Sequence, residues 1–403
     1  MSKGTYLRRR ITAFGLAGLI LAAAAYLPLT LLAPLEPATA TAVASPAVEN
    51  PAVQLAWPGY GASAIGAVGF PGTLAAGGTG EPLPIASITK VITSLVVLEA
   101  KPLADGEDGP LITFSSADAA LYHKYFAQRG KVEPVRAGLQ LTQRQLMTVV
   151  LVSSANNYAE SLATWAYGSE AAFLTAARAW LDTRGLTHTT LRDSTGMNPE
   201  NRSSAADLVE LAKLALADPV VSSLVRMPSA HLPYVGTVEN TNELLGIDGI
   251  DGIKTGTLDE AGACLLFSAS ITVGKHPVDV VGVILGGPDH PALNEAVRAL
   301  LASASAGFRE LTLVEKGEVF YRFSTPWEQS ADAVATQDAS LLVWAGTNVT
   351  ELPRVTALRH GAQGQQVGSV TFTVADASVT VPLALDSELG DPGPWWRLTH
   401  PFG

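Results

Sequence analysis

The sequence is poor in residues that several function classes require. Its one cysteine, Cys264, excludes an internal disulfide framework and any cysteine-rich metal site. That residue lies in the apolar run ACLLFSAS, where the expected role is a small buried hydrophobe. Basic residues number 26 against 37 acidic ones, and beyond the N-terminus they are scattered, so no basic stripe exists to track a nucleic-acid backbone. The seven histidines form neither His-Glu-x-x-His nor His-x-His, so no metal site is expected; His188, His231 and the others read as structural or surface residues. No internal repeat is evident. The net charge of −11 favours solubility and says little about fold.

What the chain does have begins at its N-terminus. Lys3, Arg8, Arg9 and Arg10 precede an uncharged run, ITAFGLAGLILAAAAYLPLTLLAPL, over residues 11–35. A positive flank followed by an apolar run long enough to span a bilayer is an export signal whose start stays inside the cell. Small-residue tripeptides at 38–40 (ATA) and 42–44 (AVA) suit a leader peptidase, but the length of the run favours a retained anchor. Either way the remainder is expected outside the cytoplasmic membrane. Residues 36–58, rich in Ala, Pro and Thr without a period, read as an extended linker.

From Gly59 the pattern is globular. GASAIGAVGF and the turn-rich PGTLAAGGTGEPLP suggest a short β-hairpin. A helical block follows, with apolar residues at helical spacing in LTQRQLMTVVLVSSANNYAESLATWAY, SEAAFLTAARAWLDTRG and SAADLVELAKLALAD, and Ser204 reads as a helix N-cap. Strands return after residue 249, where residues 263–273 and 278–287 are β-rich runs joined by the turn GKHP, and a helix closes this part. The order strands, helices, strands, helix implies an α+β domain over 59–312, its antiparallel sheet assembled from both ends and packed with a mostly helical subdomain. Residues 313–403 alternate and are rich in Val and Thr (GEVFYRFSTPW, SLLVWAG, VTALRHG, GSVTFTVADASVTVPLAL), as in a small all-β domain.

Three short motifs punctuate the larger domain. In LPIASITKVITSLVVLEA the helix after Ile88 is apolar on nearly every face yet holds Lys90. An unpaired buried ammonium costs several kcal/mol or gives up its proton. Ser87 lies one helical turn before it, on the same face, and a neutral lysine can take a serine's proton. Ser-x-x-Lys alone is weak: with nine lysines, on the order of one chance match is expected. Ser154 and Asn156 form Ser-x-Asn where an apolar helix breaks, offering a hydroxyl for proton relay and an amide for gripping a peptide. Lys254, Thr255 and Gly256 form Lys-Thr-Gly at a strand run, with a cation, hydroxyls from Thr255 and Thr257 for a carboxylate, and a glycine that lets a ligand approach the backbone. Each motif alone has a bland reading as a cap, a helix break or a turn. Together, in this order and separated by 67 and 100 residues, they are the signature of active-site-serine penicillin-interactive enzymes.

On these motifs the chain resembles the D-alanyl-D-alanine carboxypeptidases, the low-molecular-mass penicillin-binding proteins with a β-lactamase/transpeptidase-like fold. PIASITKVITSLVVLE, GLTHTTLRDSTGMNPENRSSAADLVELAK, NTNELLGIDGIDGIKTGTLDEAGACLLFSAS and VVGVILGG carry the likeness over residues 60–310. Two departures stand out. The second motif is Ser-Ala-Asn followed by Asn157, where the family has Ser-Gly-Asn-Asp. The end of the chain lacks a long amphipathic anchor helix, a role the N-terminal run is expected to fill, and of the two readings for Trp395 and Trp396, contact with a membrane interface or packing in the β-domain, packing is the expected one.

The resemblance implies a cofactor-free acyl-enzyme mechanism on peptidoglycan stem peptides ending in D-Ala-D-Ala, with β-lactams as inhibitors. Ser87 is the nucleophile, Lys90 its base, and Ser154 passes a proton to the leaving amine. Asn156 aligns the substrate, Lys254 holds Ser154, and Thr255 and Thr257 bind the terminal carboxylate. Backbone N–H groups of Ser87 and Thr257 face the oxyanion. Alternatives are a DD-endopeptidase or transpeptidase using the same residues, a β-lactamase, and a non-catalytic wall-binding protein. The β-lactamase reading lacks the Glu-x-x-Leu-Asn pentad; Asp193 lies in the corresponding stretch but within LRDSTGMNP, a carboxypeptidase pattern.

Overall fold

The structure is a computed structural model that describes residues 3–401. The chain forms two compact units: residues 52–309, and residues 1–51 together with 310–403.

The first unit has the expected α+β architecture. Its five-stranded antiparallel sheet runs in the order Ile250–Leu258, Gly262–Val273, His276–Gly287, Ala62–Ala67, Ala75–Gly78. The sheet is therefore assembled from both ends of the unit's sequence. The central strands read as near-continuous apolar runs because both faces are covered, as for Gly262–Val273, buried from Ala263 through Ala269. On one face the helix Ala205–Ala217, N-capped by Ser204, packs against the sheet, and the core continues into Thr89–Ala100, Asn156–Tyr167 and Glu170–Thr183. The helix Thr89–Ala100 is buried from Thr89 through Leu98, which is why its sequence shows no polar face. A further helix, Ser116–Ala127, has a weak apolar stripe, and only Tyr125 in it is buried; its capping box at Ser115 and Asp118 marks its start.

The second unit is β-rich and differs from expectation in three respects. Residues 36–58 are not wholly a free linker: Thr39–Ala42 pairs antiparallel with Val319–Ser324, completing a sheet edge whose backbone groups would otherwise face solvent. Leu35 and Ala38 are buried there. VTALRHG is not a strand, since the preceding residues Val349–Val355 supply the pairing with Gln366–Val374. Trp395 is not packed away but 79% exposed on a short helix, Gly393–Thr399, while Trp396 stacks on His400 and meets Trp327 edge-on. The apolar helix Lys3–Leu31 is long and apolar enough to cross a membrane and is almost wholly exposed.

Candidate active site

All three motifs converge on one cleft of about 610 Å3. Ser87 occupies a tight turn, Ala86–Ile88, that opens directly into the buried helix, with Ala86 at a φ of 45°. This sharp entry leaves Ser87 half-buried and facing the cleft while Lys90, one turn on, is fully buried.

Lys90 has three oxygen neighbours. Its Nζ lies 2.9 Å from Ser87 Oγ, 2.6 Å from Asn156 Oδ1 and 2.6 Å from the Thr195 carbonyl. Burial, and then the charge of Lys254, push its pKa well below the usual lysine value, with Asp193 opposing. A neutral amine has two N–H groups and one lone pair. Donating to the amide oxygen and the carbonyl leaves the lone pair for the Ser87 hydroxyl, the arrangement a general base needs.

The second motif follows a widened helical turn, Val149–Ser153, and Ser154 caps it in the left-handed conformation, φ 68°. Turns of this kind occur where a helix is bent for function. The family departure at Ala155 is harmless to the backbone, because Ala155 sits at φ −68°, ψ 124°, where glycine offers no advantage. Asn157 has its own role: its amide donates to the Glu133 carbonyl at 2.9 Å and accepts from the Glu133 N–H at 3.2 Å. It thus clamps the loop 128–134 across the cleft, and Asn156 N–H adds a 2.8 Å bond to the Lys131 carbonyl. A Cβ on Gly130 would lie 2.4 Å from Asn156 Nδ2, so a larger residue there would displace the amide that meets Lys90.

The third motif lies inside the strand Ile250–Leu258 rather than at its start. Gly256 has a reason beyond the one its sequence suggests: a Cβ would come 2.9 Å from the Ile85 carbonyl and 3.3 Å from Ser87 N. Glycine lets the strand press against the turn that carries Ser87. Lys254 is buried, and burial lowers its pKa to about 7. Among the described residues its one hydrogen bond is a long one, 3.4 Å to Thr241 Oγ1, rather than a bond to Ser154. Thr241 in turn meets Thr255 hydroxyl to hydroxyl at 2.5 Å. Thr257 is exposed to the cleft, its hydroxyl 2.6 Å from His290 Nε2.

Three residues at the site escaped the sequence reading, Thr195, Thr241 and His290, and a fourth, Asp193, was seen there without its structural role. Thr195 works through its carbonyl, and Asp193 shapes the loop that presents it by accepting from the N–H groups of Thr195, Gly196 and Asn198 at 2.6–2.8 Å. With both its oxygens so occupied, Asp193 is not free to act as a base on water. Thr241 and His290 carry no local motif; His290, first residue of the helix His290–Ser305, lines the cleft instead of serving as a plain surface residue. The rim is polar on both sides, with Arg129 and Lys131 on one loop and Glu243, Asp259 and Glu260 on others.

The profile of the D-alanyl-D-alanine carboxypeptidase family matches residues 72–288, the segment that carries all three motifs. A D-alanyl-D-alanine endopeptidase of Pseudomonas aeruginosa is 32% identical over 206 residues, 49% of this chain and 63% of that protein; the match thus spans less than two thirds of that relative. The D-alanyl-D-alanine carboxypeptidase DacF of Bacillus subtilis is 22% identical over 309 residues, 72% of this chain and 76% of that protein. In fold, the chain is similar to a peptidoglycan synthesis regulatory factor (PBP3) from Streptococcus pneumoniae, with a TM-score of 0.60, 24% identity, and coverage of 83% of this chain and 99% of the other.

Proposed function

The chain belongs to the D-alanyl-D-alanine carboxypeptidase family, and we propose that it is a serine DD-carboxypeptidase that removes the terminal D-alanine from peptidoglycan stem peptides outside the cytoplasmic membrane. The observation that carries this reading is the buried Lys90 amine, its Nζ 2.9 Å from Ser87 Oγ and 2.6 Å from both Asn156 Oδ1 and the Thr195 carbonyl.

The steps follow from the groups in place. Ser87 Oγ attacks the carbonyl of the penultimate D-alanine as its proton passes to Lys90 Nζ. The developing oxyanion is met by the backbone N–H groups of Ser87 and Thr257, whose close approach Gly256 permits. The substrate's terminal carboxylate lies against Thr255 and Thr257, with Lys254 beneath supplying positive potential. Ser154 relays to the departing amine the proton that Lys90 took, and water, losing its own proton to Lys90, then releases the acyl-enzyme as that proton returns to Ser87. β-Lactams acylate Ser87 by the same route.

A second reading, cleavage of cross-links by the same residues, is favoured by the 32% identical relative, an endopeptidase. Mass spectrometry of defined peptidoglycan fragments before and after incubation separates the two. Loss of one terminal alanine from monomers is the expected result, splitting of dimers supports the second reading, and Ser87→Ala should abolish either. A Ser87→Ala protein that released D-alanine at the parent rate would overturn the assignment.

A further inference from the structure

The segment following the apolar helix Lys3–Leu31 is part of the β-rich unit's fold, not a tether to it. Leu35 and Ala38 are buried, Ala38 belongs to that unit's core, and Ala38 N–H donates to the Leu358 carbonyl at 2.8 Å. Arg359 Nε donates to the Leu35 carbonyl at 2.5 Å, and Thr39–Ala42 forms an edge strand on Val319–Ser324. Both tripeptides suited to a leader peptidase fall on or beside this strand. A cut after Ala40 would discard Leu35, Ala38 and half the pairing; a cut after Ala44 would discard the whole strand.

A second contact seizes the end of the apolar helix itself. Carbonyls in the last turn of a helix have no partner within it. Here Arg397, from the helix Gly393–Thr399, donates through Nη1 to the carbonyls of Leu31 at 3.3 Å and Ala33 at 2.8 Å. Its guanidinium is held by Asp391 at 2.5 Å, and Tyr26 OH donates to the Leu398 carbonyl at 2.7 Å. A cation at a helix C-terminus also complements the helix dipole.

The length of the apolar helix sets the depth of this contact. After Arg10, residues 11–31 rise about 31 Å as a helix, close to the roughly 30 Å hydrocarbon thickness of a bilayer. With the arginines at the inner boundary, Leu31 reaches the outer one, and the short helix that grips it lies at headgroup depth. Trp395 and Leu32, 79% and 80% exposed, project at this level. An exposed tryptophan beside the end of a span is the side chain that favours the membrane–water interface.

We propose that the apolar helix is retained as a membrane anchor and that the helix Gly393–Thr399 is a collar around its outer end, seating Trp395 in the headgroup layer of a phospholipid bilayer. The β-rich unit is thereby held to the membrane surface at two places, the span and the collar. This inference is independent of which bond the active site cuts.

The test uses the full chain, produced in bacterial membranes and extracted in detergent. Intact mass should retain residues 1–40; a mature protein starting at Thr41 or Ser45 would overturn the anchor. The same protein, reconstituted into phosphatidylethanolamine–phosphatidylglycerol vesicles carrying bromine on acyl carbons near the headgroup, should show tryptophan quenching. In Trp395→Phe that bromolipid-dependent quenching should fall by about half or more. Equal quenching in the parent and variant would overturn the collar. An unchanged far-ultraviolet dichroism spectrum of Trp395→Phe would exclude misfolding as the cause of any loss.

Discussion

The two walls of the active site each bury a lysine, yet the walls differ in how they treat it. On the helix side Lys90 is fully buried and meets three oxygens within 2.9 Å. On the strand side Lys254 is equally hidden but has one long contact, 3.4 Å to Thr241. Both lose basicity chiefly by burial, and Lys90 is lowered further by the charge of Lys254. The difference teaches how one cleft holds a base and a cation made from the same residue type. Lys90 has acceptors for both N–H groups of a neutral amine, so in the proposed mechanism it is the neutral partner. Lys254 retains unspent donors, so in the proposed mechanism it is the charged one. Two titrations so close are coupled, and protonation of either opposes protonation of the other.

Replacing each lysine by methionine should separate the roles most sharply. Lys90→Met is expected to lower the acylation rate by about a thousand- to ten-thousandfold, the upper range for loss of a general base. Lys254→Met should lower kcat/KM by about a hundredfold, with the larger share in KM for substrates that carry the terminal carboxylate. Stopped-flow acylation by a fluorescent penicillin and steady-state D-alanine release measure the two quantities. Equal losses in both assays would break the distinction.

The pH dependence sharpens it. Lys254, with a pKa of about 7, carries its charge below that pH and loses it above, so kcat/KM should fall on an alkaline limb near neutrality. Lys90 must be neutral, so an acid limb should appear where it takes up a proton, a point that burial and the charge of Lys254 hold well below the usual lysine range. Lys254→Arg, which stays charged, should lose the alkaline limb while keeping the acid one. A limb left in place would assign it to another group.

The same burial has a stability sign. A lysine whose pKa falls from 10.5 unfolded to about 7 folded binds fewer protons in the native state between those values. Stability therefore rises with pH from about 7 to 10.5, and below 7 the full burial penalty, on the order of several kcal/mol, applies. Lys254→Met should remove that penalty, raising Tm at pH 6 while abolishing most activity, and should flatten the slope of Tm against pH above 7. A Tm lower than the parent's at pH 6 would show that the lysine stabilises the fold.

Asn157 tests the loop that faces both walls. Asn157→Asp would keep the acceptor for Glu133 N–H but lose the donor to its carbonyl, placing a carboxylate oxygen there instead. A loss of about 1–3 kcal/mol in unfolding free energy is expected, readable by urea titration. No change would mean that the Asn157 clamp is dispensable.

How much of this was legible beforehand depended on whether a role leaves a local pattern. Ser87 and Lys90 are one turn apart, so their meeting follows from helix geometry, and the apolar surround of Lys90 announced its burial. The five-stranded sheet was legible because its strands alternate or run apolar at strand length. Thr195 acts through a backbone carbonyl, which any residue supplies, so no side-chain pattern points to it. Asp193 looked like a motif letter, but its role as acceptor for successive N–H groups appears only once the loop folds over it. The pairing of Thr39–Ala42 with Val319–Ser324 joins residues about 280 apart in sequence, and a four-residue strand of Thr and Ala has too little hydrophobic contrast to declare a partner.

His290 is the remaining asymmetry between the walls, because among the described residues that line the cleft it is the one histidine, and it meets the strand side. Its Nε2 lies 2.6 Å from Thr257 Oγ1, which fixes the rotamer of a hydroxyl expected to meet the substrate carboxylate. The contact is partly exposed, so its worth is modest and lies in orientation rather than charge. His290→Ala should raise KM for D-Ala-D-Ala peptides about three- to tenfold with little change in kcat, and His290→Gln, which keeps a hydrogen-bonding group near the hydroxyl, should recover part of it. Acylation by a β-lactam lacking the carboxylate should be indifferent to either change, since no carboxylate then depends on Thr257. An equal loss with and without the carboxylate would show instead that His290 supports the end of the strand, and the two walls would then differ only in their lysines.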